Sequence, residues 1–407
     1  MLVFWVNVYN YIRIKNFLKD MLIDILIKVE NIILCSKLSF RKRFPILREI
    51  NMKKILVIQN KRIGDVLIAS VIAQNMKKIF PKSQIDFLVY DYTVGVIENN
   101  PFIDHIIEVN DKELKKLGNL KQLIQTVRKR EYDIIFDPYS KLQSRLICYF
   151  SKASIRIGFQ KRGKNPIFKF YTHHVPFLEE KSNICGKAIE DRVNMVTSVF
   201  TLPEDQIDFE PKIVLTKKEK QYNKLEKYSK PSIMLGILGS TPQKSMPYEH
   251  IVQLIDFITE NFQVNVLFNY APNQKEDALR IYKSCKNKNN IIIDVYEDSI
   301  RGFIKLMNKC ELLVGNEGGI VHIAKALSKP TFTIFSPYVM KDHWASFEDS
   351  KKHASIHLLE EKPELYNENS VENRRKIEAD PSFMYKQLTP ELIIPKLKVF
   401  LDVHLKN

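Results

Sequence analysis

Two kinds of hydrophobic spacing alternate along this chain. From Lys53 onward, short apolar or β-branched runs read as strands: "ILVIQ", "QIDFLVY", "HIIEVN", "YDIIFDP" and "SIRIGF". Between several of them lie segments with helical periodicity, over 66–80 and 112–130. Parallel strands need long connections, and amphipathic helices supply them, so this alternation predicts a parallel sheet with crossover helices. After the polar stretch "LTKKEKQYNKLEKYSKPS" the pattern restarts. "SIMLGILGS", "VNVLFNYAP", "NIIIDVYED", "ELLVGNEGG" and "PTFTIFSP" are the second set of strands, with helices at 248–261, 274–286, 299–309 and 320–327. The expected fold class is α/β, with two Rossmann-like domains facing across a cleft. Residues 52–228 form the first, 229–385 the second, and 386–407 a closing helix. No short-period repeat or low-complexity tract interrupts this plan.

The first 51 residues differ. "NFLKDMLIDILIKVENIILCS" puts Leu18, Leu22, Ile25, Leu26, Val29 and Ile33 on one helical stripe, and "SFRKRFPILR" follows. Charges interrupt any membrane-spanning run, and no small-residue cleavage site follows an apolar core. Two readings of this extension stand side by side. One is an interfacial helix with Arg41, Lys42, Arg43 and Arg48 near anionic headgroups; the other is a helix packed on the main fold. Met52 also reads as an internal start.

Composition narrows the partners. The chain has 407 residues, 45% hydrophobic and 27% charged, enough for two ordinary cores. Its formal charge of +16 calls for an anionic partner: nucleic acid, a phosphorylated small molecule or a membrane surface. The basic residues are dispersed over α/β loops without a recognition helix, which argues against nucleic acid. Cysteines at 35, 148, 185, 285 and 310 show no Cys-x-x-Cys spacing, so neither a disulfide framework nor a zinc site is indicated, and a reducing cytoplasm is expected.

Ligands of an open α/β sheet bind beyond the carboxyl ends of its strands. Three stretches lie there. In "RIGDVLIASVIAQNMKKIFP", Gly64 lets backbone approach closely and Asp65 enters a helix N-terminus, where the dipole keeps a carboxylate ionised. On spacing alone, a helix cap is the stronger reading of Asp65, and Arg62 reads equally as solvated. In "LLVGNEGGIVHIAKAL", Gly318 and Gly319 would bare amides to a phosphate, one turn before His322. In "GSTPQKSMPYEH", Lys244 sits at a comparable height. Loops "SKLQSR" and "FQKRGKNP" add Lys141, Arg145, Lys161, Arg162 and Lys164, which either meet anionic groups of an acceptor or are plainly solvated. No Asp-x-Asp motif follows a strand, and "DIIFDP" reads as an ordinary buried strand ending at Asp137.

Taken together, the Gly-Asp helix entry, the Lys-x-x-Pro loop and "GNEGGIVHIAKALSKPTFTIFSP" resemble glycosyltransferase family 9, the lipopolysaccharide heptosyltransferases, from about Lys53 to the end. The resemblance implies a two-domain glycosyltransferase of the GT-B type. The donor, usually ADP-heptose, would be held by the second half; the acceptor, an anionic glycolipid such as the lipopolysaccharide core, by the first. Asp65 would match the base of an inverting displacement. Lys244 would match the lysine that steadies the donor phosphates, and Glu317, Gly318, Gly319 and His322 the motif Asp-Thr-Gly-x-x-His. No metal or other cofactor is implied, and the place of action would be the cytoplasm, in peripheral contact with the inner membrane. The chain departs from the pattern at Glu317, Gly318 and Met246, where the family usually has Asp, a hydroxyl residue and Trp. In "NYAPNQKED" the usual glycine turn is missing, which leaves Gln274 or Glu276 for the nucleotide. A transferase for another nucleotide sugar, or a sugar-nucleotide epimerase or hydrolase of the same architecture, remains open.

Overall fold

The computed structural model describes residues 52–160, 169–239, 245–366, 376–377, 380 and 382–405. The expected helix within 1–51, together with Lys161, Arg162, Lys164 and Lys244, lies outside the described residues.

Two six-stranded parallel sheets follow one another. The first contains β1 (Lys54–Ile58), β2 (Gln84–Tyr90), β3 (His105–Val109), β4 (Ile134–Asp137), β5 (Ile155–Phe159) and β6 (His173–Val175) in the order β3-β2-β1-β4-β5-β6. The second contains β7 (Ser232–Gly236), β8 (Asn265–Asn269), β9 (Ile291–Ile292), β10 (Leu313–Asn316), β11 (Thr331–Ile334) and β12 (His353–Ile356). Its order, read from the other edge, is β9-β8-β7-β10-β11-β12. Both are therefore doubly wound, with the strand order reversing between β1 and β4 and between β7 and β10.

Main helices are α1 (Ile63–Ile79), α2 (Leu117–Lys129), α3 (Leu142–Phe150), α4 (Lys187–Thr197), α5 (Tyr248–Asn261), α6 (Lys275–Ser284), α7 (Ile300–Asn308), α8 (Gly319–Ala326) and α9 (Pro390–His404). Strand alternation sends Ile55 and Val57 to one face of the first sheet and Leu56 and Ile58 to the other. The Ile55 face belongs to an apolar cluster that continues through α1 to Leu313 and Val321 of the second half. Helix α1 lies inside this continuous core, and every residue from Gly64 to Met76 is buried. That is why its sequence is apolar nearly all round rather than amphipathic. Helix α9 opens with Pro390 at its first turn and buries Ile393, Leu397, Phe400 and Leu401 against the second sheet.

The structure departs from the sequence pattern in definite places. The helix expected over 112–130 is broken, because the Asn110 side chain caps a short turn at Asp111–Leu114 and the Asn119 amide donates to the Glu113 carbonyl. "NIIIDVYED" pairs as a strand only at Ile291–Ile292. Helices α3 and α4 and strands β6 and β12 carry too little unbroken apolar pattern to stand out. Among the described residues, Cys148, Cys185, Cys285 and Cys310 are free and buried. Burial pushes the thiols of Cys185, Cys285 and Cys310 up to about 12. No helix among the described residues is long and apolar enough to cross a membrane.

One arginine ties the two halves along a flank. Arg301, in the first turn of α7, donates through Nη1 to the Gly95 carbonyl at 3.1 Å and through Nη2 to the Val214 carbonyl at 2.6 Å. Its Nε and Nη2 grip both oxygens of Glu219, at 2.7 and 2.8 Å, and hold that carboxyl down at about 2. Gly95 lacks a side chain where a Cβ would come within 2.6 Å of Ile300 Cγ2. Replacing Arg301 by Gln should cost about 2–4 kcal/mol in denaturant unfolding at pH 7. A depressed carboxyl stabilises the fold above its unfolded value of 4.5, and that contribution is lost as pH falls toward 2. The gap between the two proteins should therefore narrow over that interval; a constant gap would count against the ion pair as its source.

Candidate functional site

The two sheets present their carboxyl ends to a common cleft. Beyond β1 the chain passes through Gln59, Asn60, Lys61 and exposed Arg62 into α1. Arg62 is the residue at the helix cap and makes no capping bond, so Asp65 supplies the only acidic group of the first turn. Beyond β10 the chain turns at Glu317 and Gly318 into α8. Gly318 has φ +156°, at the edge of the range that side chains rarely adopt.

These helix entries meet. A Cβ placed on Gly64 would lie 3.0 Å from His322 Cδ2 and 3.3 Å from Gly319 Cα; one placed on Gly319 would lie 3.2 Å from the Gly64 nitrogen. The missing side chain of Gly64 admits the second half's helix.

Asp65 is 5% exposed. Lys61 Nζ donates to its Oδ1 at 2.8 Å, and Arg192 Nη2 of α4 lies 3.5 Å from the same oxygen. Lys61 also sits 5.8 Å above the Trp344 ring, which stands edge-on to His343 at 4.8 Å. Burial, then the charges of Arg192, Lys187 and Lys61, push the His343 imidazole down to about 4. His322 is held down at about 3 by burial, then by Lys325 and Arg192, and its Nδ1 is 3.3 Å from Ser346 Oγ. Both rings are thus neutral near pH 7. Lys325 binds the Ser346 carbonyl and pairs with Glu348 at 2.8 Å, which fixes the loop that carries His343 and Trp344.

The other expected residues fall in three groups. Glu317, Gly318, Gly319 and His322 come together at the head of α8. Arg62 and Lys141 are exposed at the carboxyl ends of β1 and β4. Gln274 is half-buried and engaged locally: its Nε2 donates to the Gly239 carbonyl at 2.7 Å and its Oε1 accepts from Ala271 N at 2.8 Å. Glu276 is exposed on α6. Sequence reasoning passed over Arg192, His343 and Trp344. A signal for Arg192 existed, since it falls on the buried stripe of Ile189, Val193 and Val196, where a charge is out of place. The carboxamides of Gln59 and Asn316, at the carboxyl ends of β1 and β10, are buried with no hydrogen-bond partner among the described residues. Among the described residues no group of three or more His, Cys, Asp and Glu is arranged to hold a metal ion.

Asp137 proves to be more than a plain strand end. It accepts from the Tyr171 hydroxyl at 2.6 Å and from Ser140 N at 2.8 Å, and burial still pushes its carboxyl up to about 6. Arg145, expected to face an acceptor, is partly buried and its charge acts on this carboxyl. A carboxyl raised from 3.8 to about 6 lets the native state bind a proton more readily than the unfolded chain. Its ionisation therefore costs the fold about 2–3 kcal/mol as pH rises through that window. Asp137→Asn should flatten this part of the stability curve in denaturant unfolding between pH 4 and 6.5; an unchanged slope would assign it to another group.

Comparisons with known proteins bear on the family and the fold. The family model described as glycosyltransferase family 9 (heptosyltransferase) matches residues 120–374, which leaves the Asp65 segment outside the matched range. The chain is 24% identical to a lipopolysaccharide heptosyltransferase 1 of Campylobacter coli, over 69% of this chain and 83% of that one. It is 21% identical to the lipopolysaccharide heptosyltransferase 2 of Escherichia coli, over 70% and 83%. Among solved structures, a family 9 glycosyl transferase from Veillonella parvula superposes with a TM-score of 0.67 at 16% identity, covering 87% of this chain and 98% of that one. An Escherichia coli heptosyltransferase with ADP superposes at 0.61 and 15% identity, covering 87% and 100%. The paired doubly wound sheets are thus the GT-B arrangement, and the chain belongs to glycosyltransferase family 9.

Proposed function

We propose that this glycosyltransferase moves heptose from ADP-heptose to a hydroxyl of a lipopolysaccharide inner core, with inversion and with Asp65 as general base. The observation that carries the reading is the meeting of Gly64–Asp65 with Gly319 and His322, which sets a buried carboxylate beside a glycine-opened helix N-terminus. The acceptor oxygen forms its bond to the anomeric carbon as the bond from that carbon to the diphosphate breaks. The hydroxyl proton passes to Asp65, and ADP leaves. Negative charge gathers on the departing diphosphate, where the bare amides at Gly318 and Gly319 and the cation of Lys244 would stabilise it. Arg62 and Lys141 would face anionic groups of the acceptor. The basic, apolar-striped sequence of residues 1–51 supports contact with the cytoplasmic face of the inner membrane, near the lipid-borne acceptor.

Calorimetry with ADP-, UDP- and GDP-sugars tests the donor: selective binding of ADP-heptose is expected, and preference for another base would overturn it. Asp65→Asn should keep donor affinity within about twofold and reduce transfer by 10³-fold or more, on the order expected for removal of the base. Full activity would remove Asp65 from this role. Deleting residues 1–51 should abolish binding to anionic liposomes while turnover on a soluble oligosaccharide acceptor persists; unchanged liposome binding would sink the membrane assignment.

A further inference from the structure

We propose that Arg192 is a positioning residue, which holds the Asp65 carboxylate by Oδ1 so that Oδ2 is the oxygen presented to the acceptor hydroxyl. This rests on the reading of Asp65 as the base. Lys61 Nζ and Arg192 Nη2 both approach Oδ1, at 2.8 and 3.5 Å, and no hydrogen bond from a described residue reaches Oδ2. Two cations on one oxygen fix the rotation of the group and turn its other oxygen to the space that remains.

The two cations are not equivalent. The Lys61 side chain is 40% exposed and rides on a flexible stem, whereas that of Arg192 is 5% exposed. Arg192 is anchored through Nη1 to the Ala188 carbonyl at 3.0 Å and lies 5.9 Å over the Phe159 ring, which stacks on Phe177 at 4.1 Å. Lys61 can exchange with solvent or substrate; Arg192 cannot.

A buried guanidinium needs a reason, because desolvation disfavours its charge. Its sequence neighbour Asp191 makes no ion pair with it. Asp191 next to it turns Oδ1 to the Leu178 amide at 2.9 Å, and Arg192 Nε has no partner. The ion-pair partner of Arg192 among the described residues is Asp65. Burial pulls the guanidinium below its ordinary range, and the Asp65 charge, then that of Asp191, opposes that pull. Arginine also suits the task chemically, since it stays protonated throughout catalysis and cannot compete with the acceptor hydroxyl for the proton on Asp65. His322 and His343, the other titratable rings facing this pair, are both held neutral.

The test compares Arg192→Met, Arg192→Lys and Lys61→Met in the full-length enzyme, with ADP-heptose as donor and deacylated inner-core oligosaccharide as acceptor. Arg192→Met should lower kcat by roughly 30–100-fold, the scale of a misplaced catalytic group, with donor Kd and acceptor KM within about twofold. Arg192→Lys should recover part of the loss, and Lys61→Met should lose less than Arg192→Met. In an Asp65→Asn background, Arg192→Met should cost nothing further, because the residue acts through Asp65. The proposal is overturned by unchanged kcat, by a loss that falls on KM or donor Kd, by additivity with Asp65→Asn, or by a larger loss in Lys61→Met. If Arg192→Met shows no cooperative unfolding transition, Arg192→Lys decides: reduced kcat at constant KM supports the proposal and native kcat overturns it. A fully active Asp65→Asn enzyme would instead refute the base reading itself, whereas an inactive Asp65→Asn with an active Arg192→Met refutes only the role of Arg192.

Discussion

Two helix N-termini pointing at one another are an electrostatic liability, and much of the molecule is arranged around that fact. Each carries the positive end of a helix dipole and unsatisfied amides. Here α1 and α8 approach until Gly64 and Gly319 are separated by little more than van der Waals contact, beside the cations of Lys61 and Arg192. Asp65 and Glu317 bring the acidic charge at the two helix entries. The arrangement is tolerable because the histidines between them are neutral and because a diphosphate would add the missing negative charge. A fold built this way has its binding preference written into its backbone before any specific side chain is considered.

The shared strand order of the two sheets places these helix ends face to face. Each reversal of winding opens a crevice at the carboxyl ends of its central strands. The Arg301 cluster on one flank and the continuous apolar core through α1 hold the crevices opposite each other. Division of labour follows. One crevice offers a carboxylate, the other offers amides, and the substrates are expected to meet where neither half alone has both.

Sheet architecture was legible in the sequence because parallel strands covered on both faces appear as unbroken apolar runs, with several of the connecting helices readable as periodic segments between them. Helix α4 was not, since its polar faces and the short β6 before it blur the period, and with it went Arg192. The role of Gly64 was half legible: its need for space could be read, but the neighbour that fills the space comes from a segment more than 250 residues away. Asp137 and Gln274 show the same limit from the other side. Both are polar groups at or just beyond a strand's carboxyl end, and Tyr171 and Ser140 engage the first while Gly239 and Ala271 engage the second. Local pattern locates the ends of strands; only tertiary contacts decide which polar groups there are already satisfied.

The buried cysteines carry a practical consequence. With four thiols shielded and, for Cys185, Cys285 and Cys310, pushed up to about 12, the native fold presents no thiolate from these positions to an alkylating or oxidising reagent. Labelling kinetics at those four sulfurs would then follow the opening of the surrounding core rather than the chemistry of the thiol. The protein thus carries its own reporters of local unfolding, Cys148 and Cys185 in the first half and Cys285 and Cys310 in the second.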